Sequence, residues 1–298
     1  MSGRGSDRMT AARQVDELGP GDHACLTFSD PDERLDLVAA FVHAGLAAGD
    51  KVLCLTEAVP PDRLPAELED RDVAATDALA RGQLEIRGSG QVWLAGGPPD
   101  AVTMVRMLAG QRDRAAGEGF AALRITADMC WATGPVAAAD QLLKFEKELA
   151  ALFADGGLCA ICQYDREGFD GVTLALAADA HATNVAAAVY HEDPIVRICR
   201  QYRPPGVRVA GELDFTRAEA LTHAVTEALR LDQDIHVNLS QLRYIDAACA
   251  GIVVQAARTL GPDRTMIVSC HGLVRKMFDL VGTSEVPQLR VRQAYGQR

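Results

Sequence analysis

Three groups of residues in this chain have the types and spacing to do chemistry. The first lies in YIDAACAG, residues 244–251. An apolar run (235–239) precedes it and an apolar helical pattern (251–260) follows, so Asp246 stands where a strand hands over to a helix. Such a joint offers free backbone N–H groups and the positive end of a helix dipole to a phosphate. Yet Ala247, Ala248 and Cys249 follow, and alanine has no oxygen to carry one. Asp246 can cap the helix. Cys249 has the position of a redox-sensitive thiol, and equally that of a small residue packed beneath the helix, the commoner fate of a free cysteine.

The second group falls near the ends of apolar runs that read as strands. It comprises His23, Cys25 and Phe28 on the first run, Thr56 and Glu57 on the second, and Asp128, Cys130 and Trp131 after a later one. Gln163, Tyr164 and Asp165 close the last. In an open parallel sheet the ligand crevice lies at the strand C-terminal ends. Trp131 and Tyr164 supply aromatic walls with a polar handle. His23, Cys25 and Cys130 could together hold a metal or a haem if the fold makes them converge.

The third group is the C-x-x-C pair Cys159 and Cys162. A C-x-x-C usually indicates zinc or redox chemistry. This one sits inside LCAICQY, which reads as a strand, and positions i and i+3 of a strand face opposite ways. The pair is therefore expected to be two core thiols. No G-x-x-x-x-G-K-[S/T], G-x-S-x-G or dinucleotide glycine pattern occurs. After the first strand the chain has SDPDERLD, with acids where a phosphate loop needs glycine and lysine. An enzyme, and ATP hydrolysis in particular, is not expected.

These residues need elements to hold them. HACLTF, KVLCLTE, FAALRITADM and LCAICQYD read as strands, separated by helical patterns. The helix after the first strand has Ser29 or Asp30 as N-cap, Pro31 in its first turn and Gly49 near its end. Strands alternating with helices predict a layered α/β domain with a largely parallel sheet, over about 16–198. CRQYRPPGVRV loses periodicity around paired prolines, which places a linker over 199–206. A smaller α/β unit follows over 207–298, its first helix opened by a Thr216/Glu219 capping box. Residues 1–15 read as disordered.

Composition narrows the function classes. The chain has 298 residues, 48% hydrophobic, with a formal net charge of −11 and no Lys/Arg-rich run, which argues against direct nucleic-acid binding. No apolar stretch reaches the length of a membrane span, and the N-terminus lacks the apolar core of a signal peptide, so a cytoplasmic protein is expected. Eight cysteines fit buried free thiols in a reducing compartment.

Two resemblances sharpen this. VAGELDFTRAEAL, IHVNLSQLRYIDAACAGIVVQAAR and MIVSCHGLVRKMFDLVG resemble the STAS domain of anti-sigma factor antagonists. The resemblance implies binding to an anti-sigma factor or kinase-like partner, with phosphorylation of a Ser where Ala248 stands. The implied partner face comprises Asp214, Ser240, Asp246, Ala247, Ala248, Cys249 and Gly251. GDHACLTFSDPDERLDLVAAFVHAGLAAGDKVLCLTE, LRITADMCWATGP and FEKELAALFADGGLCAICQYDREGFD resemble the MEDS sensory domain. That implies a RecA/KaiC-like core sensing a small, hydrocarbon-like ligand; DAHAT (179–183) departs from the expected His-Pro. The combined expectation is a signalling protein in transcription regulation that senses a ligand and binds a partner, with self-association open. The alternatives are a non-sensing scaffold and a metal-, haem- or redox-responsive sensor.

Overall fold

The computed structural model describes residues 13–134 and 136–294, in two compact units that divide between Ala186 and Ala187. The first contains β1 (His23–Phe28), α1 (Pro31–Ala48), β2 (Lys51–Thr56), α2 (Leu64–Glu69), α3 (Ala75–Ala80), β3 (Leu84–Gly88) and α4 (Ser89–Trp93). It continues with α5 (Ala101–Gly117), β4 (Leu123–Asp128), α6 (Val136–Leu149), β5 (Leu158–Asp165), α7 (Gly171–Ala180) and β6 (Thr183–Val185). The six strands pair in parallel in the order β3-β2-β4-β5-β1-β6. β2 and β4 are buried along their whole length, which is why they read as continuous apolar runs rather than alternating ones.

The helices cover both faces. Val38 and Val42 of α1 and Leu64 and Leu68 of α2 pack on Val52 and Cys54 of β2. Leu53 and Leu55, one residue out of phase, pack with Met104 and Leu108 of α5 and Leu142 and Phe145 of α6 on the other side. α1 starts and stops as its sequence requires. The Asp30 carboxylate accepts from the backbone N–H of Asp32 and Glu33, Pro31 opens the first turn, and Gly49 ends the helix in the left-handed region at φ 80°.

The second unit contains β7 (Val189–Glu192), β8 (Val196–Gln201), β9 (Gly206–Leu213), α8 (Ala218–Leu231) and β10 (Ile235–Ile245). α9 (Ala247–Arg258), β11 (Met266–Cys270), α10 (Gly272–Leu280) and β12 (Leu289–Gln293) complete it. Its sheet runs β12-β11-β10-β9-β8-β7, parallel from β12 to β9 and antiparallel from β9 to β7.

Three expectations meet a different structure. Residues 199–206 are the end of β8 and its turn into β9: Cys199 is buried, Arg200 pairs with Asp232 and the Gln201 side chain donates to the Pro204 carbonyl. The prolines there shape a turn between paired strands. Thr216 and Glu219 make no capping box. Thr216 lies inside a short 3-10 turn (Phe215–Arg217), and Asp214 accepts its backbone N–H at 3.0 Å. Of the stretch 1–15, residues 1–12 lie outside the described residues, while Arg13 bridges Val185 in parallel and Val15 is buried.

Candidate functional site

The expected crevice residues divide between the two faces of the first sheet, because successive side chains of a strand alternate. Phe28, Thr56, Asp128 and Gln163 share the α1 side. Asp128, 1% exposed, pairs with Arg34 at 2.9 Å. Its Oδ2 also accepts from the backbone N–H of Glu57 and Ala58, and its Oδ1 from that of Cys130. Desolvation opposes ionisation here, but the Arg34 charge and the backbone donors win and hold the carboxyl below its usual range. The Arg34 guanidinium lies 5.0 Å above the Phe28 ring. Thr56 donates to the Val59 carbonyl and Gln163 to the Thr126 hydroxyl. Glu57 and Asp165 accept from the backbone N–H of Gly90 and Glu167. Most of this set therefore holds the loops at the strand ends in place.

Around the same edge several buried polar atoms lack hydrogen-bond partners among the described residues: Ser89 Oγ, Trp93 Nε1, Trp131 Nε1 and Arg34 Nε. Ser89 and Trp93 are one helical turn apart on α4, and the Trp93 and Trp131 ring centroids are 6.2 Å apart. Cys130 stands beside Asp128, and burial with that charge pushes its thiol up to about 12.

On the α6 side a second constellation forms. His23 of β1 and Cys162 and Tyr164 of β5 face Glu146 of α6, which is fully buried. His23 Nε2 lies 3.1 Å and His181 Nε2 3.4 Å from Glu146 Oε2, and the Tyr164 hydroxyl donates to Oε1 at 2.5 Å. Cys162 Sγ lies 3.5 Å from His23 Nε2 and 3.8 Å from Glu146 Oε2. Burial alone would raise the Glu146 carboxyl; His181, His23 and Tyr164 instead bring it down to about 2. Burial lowers His181. The His181 Nδ1 pairs with the Ala177 carbonyl at 2.7 Å; a carbonyl only accepts, so Nδ1 carries the proton. Its Nε2 is not aligned with the carboxylate for a hydrogen bond and has no other partner among the described residues.

His23, Glu146, Cys162 and His181 are the one group of three or more metal-ligand types that converges among the described residues, their ligand atoms all within 4.8 Å of one another. Cys25, buried beside Cys162, and Cys130 are not in it. Cys159 lies on the opposite face of β5 near Arg124 and Asp50, and all eight cysteines are free. Sequence reading missed Glu146 and His181. Glu146 carried a signal: it sits among Leu142, Phe145 and Leu149, on the apolar stripe of its helix.

In the second unit Asp246 caps α9 through the Cys249 N–H at 2.8 Å and accepts the Phe215 N–H at 2.7 Å, tying the ends of β9 and β10 together. Ala247 and Ala248 are exposed, Gly251 half-buried, and Cys249 buried in the core with its thiol pushed up to about 12 by burial and by Asp246. Ser240 is half-buried, and its carbonyl accepts from His271. Ala248 and Gly251 open an apolar groove of about 520 Å³ between α8 and α9, floored by Val225, Leu229 and Ile252. The side chain of Phe215 is exposed beside Asp246.

The chain divides into a parallel α/β unit and a small mixed-sheet unit, and the families that these match put it in the regulatory or signalling class. The chain belongs to the MEDS family, described as MEthanogen/methylotroph, DcmR Sensory domain, whose sequence model matches residues 22–182. A second family, described as Mlab, STAS domain, matches residues 197–290. Among solved structures the chain is similar to the flagellar accessory protein FlaH from Methanocaldococcus jannaschii, at 10% identity over 62% of this chain and 80% of that one, with a TM-score of 0.43. It is also similar to a KaiC-like protein from Pyrococcus horikoshii OT3, at 11% identity over 65% and 80%, with a TM-score of 0.45. Among the described residues no helix is long and apolar enough to cross a membrane.

Proposed function

We propose that this chain is a cytoplasmic sensor–adaptor. Its first unit binds a small organic molecule with an apolar body and an oxygen acceptor. Its second unit docks on an anti-sigma factor or kinase-like partner. The observation that carries the sensing half is the set of buried donors at the strand edge, Ser89, Trp93 and Trp131, that find no acceptor among the described residues. A buried donor left unpaired costs about 1–3 kcal/mol, which a ligand oxygen would recover while the indoles cover its apolar part. Nucleotide hydrolysis has little support. The first-turn amides of α1, where a phosphate would lie, are taken by Asp30, and Arg34 is held by Asp128.

The docking half rests on the exposed Ala247–Ala248 turn continuing into the α8/α9 groove, with Asp246 holding the turn in shape. The partner reads this surface without a phosphate switch at position 248.

The chain has two tryptophans, and both stand at the proposed ligand edge, so intrinsic indole emission reports on that edge alone. Small alkanols, aldehydes and carboxylates are titrated against the full chain, with native mass spectrometry of the freshly purified protein alongside. A saturable emission change that Trp131→Phe abolishes, or an excess native mass, supports the reading. A flat response across the panel with a native mass equal to the chain mass removes the sensing half and leaves a scaffold.

A further inference from the structure

We propose that His23, Glu146, Cys162 and His181 form a closed four-ligand site for a zinc-type divalent transition ion. The site lies on the α6 face of the first sheet and does not depend on the sensor–adaptor reading.

The distances fit. Bonds of about 2.0–2.1 Å to nitrogen or oxygen and about 2.3 Å to sulfur set tetrahedral edges of about 3.3–3.6 Å between ligand atoms. Four of the six distances between ligand atoms are 3.1, 3.4, 3.5 and 3.8 Å, and all six lie within 4.8 Å. All four side chains come from regular elements or their ends: β1, α6, β5 and the close of α7.

The hydrogen-bond pattern aims the ligand atoms at one another. His181 pairs through Nδ1 with the Ala177 carbonyl, which leaves Nε2 as the ring atom facing the Glu146 carboxylate, at 3.4 Å and outside hydrogen-bond alignment. A cation placed among the four atoms takes both this Nε2 and the Glu146 oxygen as ligands. The Tyr164 hydroxyl holds the other oxygen of Glu146, orienting Oε2 toward the imidazoles. Both are outer contacts of the kind that orient metal ligands.

Charge also balances. A divalent ion with one carboxylate and one thiolate is neutral overall, as a fully buried site requires. Binding releases the Cys162 thiol proton to solvent, one per ion, and forms the metal–sulfur bond. Imidazole, thiolate and carboxylate in tetrahedral array select zinc over magnesium or calcium, and four protein ligands leave no open position for a substrate.

The test uses the full chain without an affinity tag. Metal content is measured after purification. The chelator-stripped protein is then titrated with Co2+, both as folded protein and during refolding, so that a closed site is not mistaken for an absent one. The expected result is one equivalent of ion per chain, with the visible bands of tetrahedral cobalt and a near-ultraviolet thiolate charge-transfer band. Cys162→Ser should remove the charge-transfer band, whereas Cys159→Ser, on the other face of β5, should keep it. Tyr164→Phe, which leaves every ligand in place, should weaken binding about 10–100-fold. Variants are compared only where far-UV circular dichroism matches the parent. Substoichiometric metal with no cobalt bands under either loading condition overturns the proposal, as does equal loss of the band in both cysteine variants.

Discussion

Asp128, at the end of β4, and Glu146, on α6, are buried carboxylates at opposite faces of one sheet, and their surroundings treat them differently. Asp128 is enclosed by a guanidinium, three backbone N–H groups and the Cys130 thiol, with the guanidinium and the backbone donors unable to give up their protons. Glu146 faces two imidazoles, a thiol and a phenol, whose protons can move or leave. The first arrangement, dominated by Arg34 and the backbone, holds a fixed negative charge. The second can hold a charge, a proton or an ion. Burial alone therefore does not separate a structural carboxylate from a functional one; the chemistry of its partners does.

Substitutions break or sharpen this contrast. Asp128→Ala should have the largest effect, about 3–5 kcal/mol by urea denaturation, because it leaves Arg34 buried and uncompensated. The acid dependence follows from the same contacts. The Asp128 carboxyl is held below its ordinary value of 3.8, so its contribution is complete above that value and lost as pH falls below it. A parent protein no more acid-sensitive than Asp128→Asn would contradict that account. The isosteric pair comes next. Asp128→Asn turns an amide N–H2 toward donors and should cost most of what the alanine change does. Glu146→Gln in metal-stripped protein keeps an oxygen for Tyr164 and a polar group toward the imidazoles, so it should shift stability by about 1 kcal/mol or less. Equal losses for the two would erase the distinction between the sites.

The second unit supplies smaller effects. Asp246→Ala removes a helix cap and the tie to Phe215, and should cost about 1–2 kcal/mol in thermal or urea unfolding. Ala248→Ser is exposed and should change stability by less than about 0.5 kcal/mol. It should nonetheless become phosphorylated by a kinase that binds this domain. An unmodified serine in a stable complex would separate docking from the geometry that a phosphorylation switch needs.

The strand–helix alternation, the N-cap of α1 and the opposite facing of Cys159 and Cys162 were readable because each rests on local spacing. The crevice residues were readable only as strand-end positions. Parity along β4 and β5 then sent Asp128 and Gln163 one way and Cys162 and Tyr164 the other, and pairing between distant strands decided their neighbours. Glu146 escaped because a glutamate within an amphipathic pattern reads as solvent-facing until its exact angle on the stripe is considered. His181 escaped because nothing near it in sequence shows that α7 returns to β1. β7 and β8 escaped because the paired prolines obscured a hairpin whose partners are cross-strand.

The pairing of β1 with β5 and β6 has a consequence for synthesis on the ribosome. His23 is among the first residues of its unit to emerge, yet Cys162 lies 139 positions later and His181 later still. β1 is an inner strand whose neighbours are the last two strands of the unit to be made. The nascent chain must carry an apolar strand with a histidine and a cysteine, unpaired, until nearly the whole unit has been extruded. Its closure is a late, long-range event, and the interval before it is when the chain has most need of a chaperone.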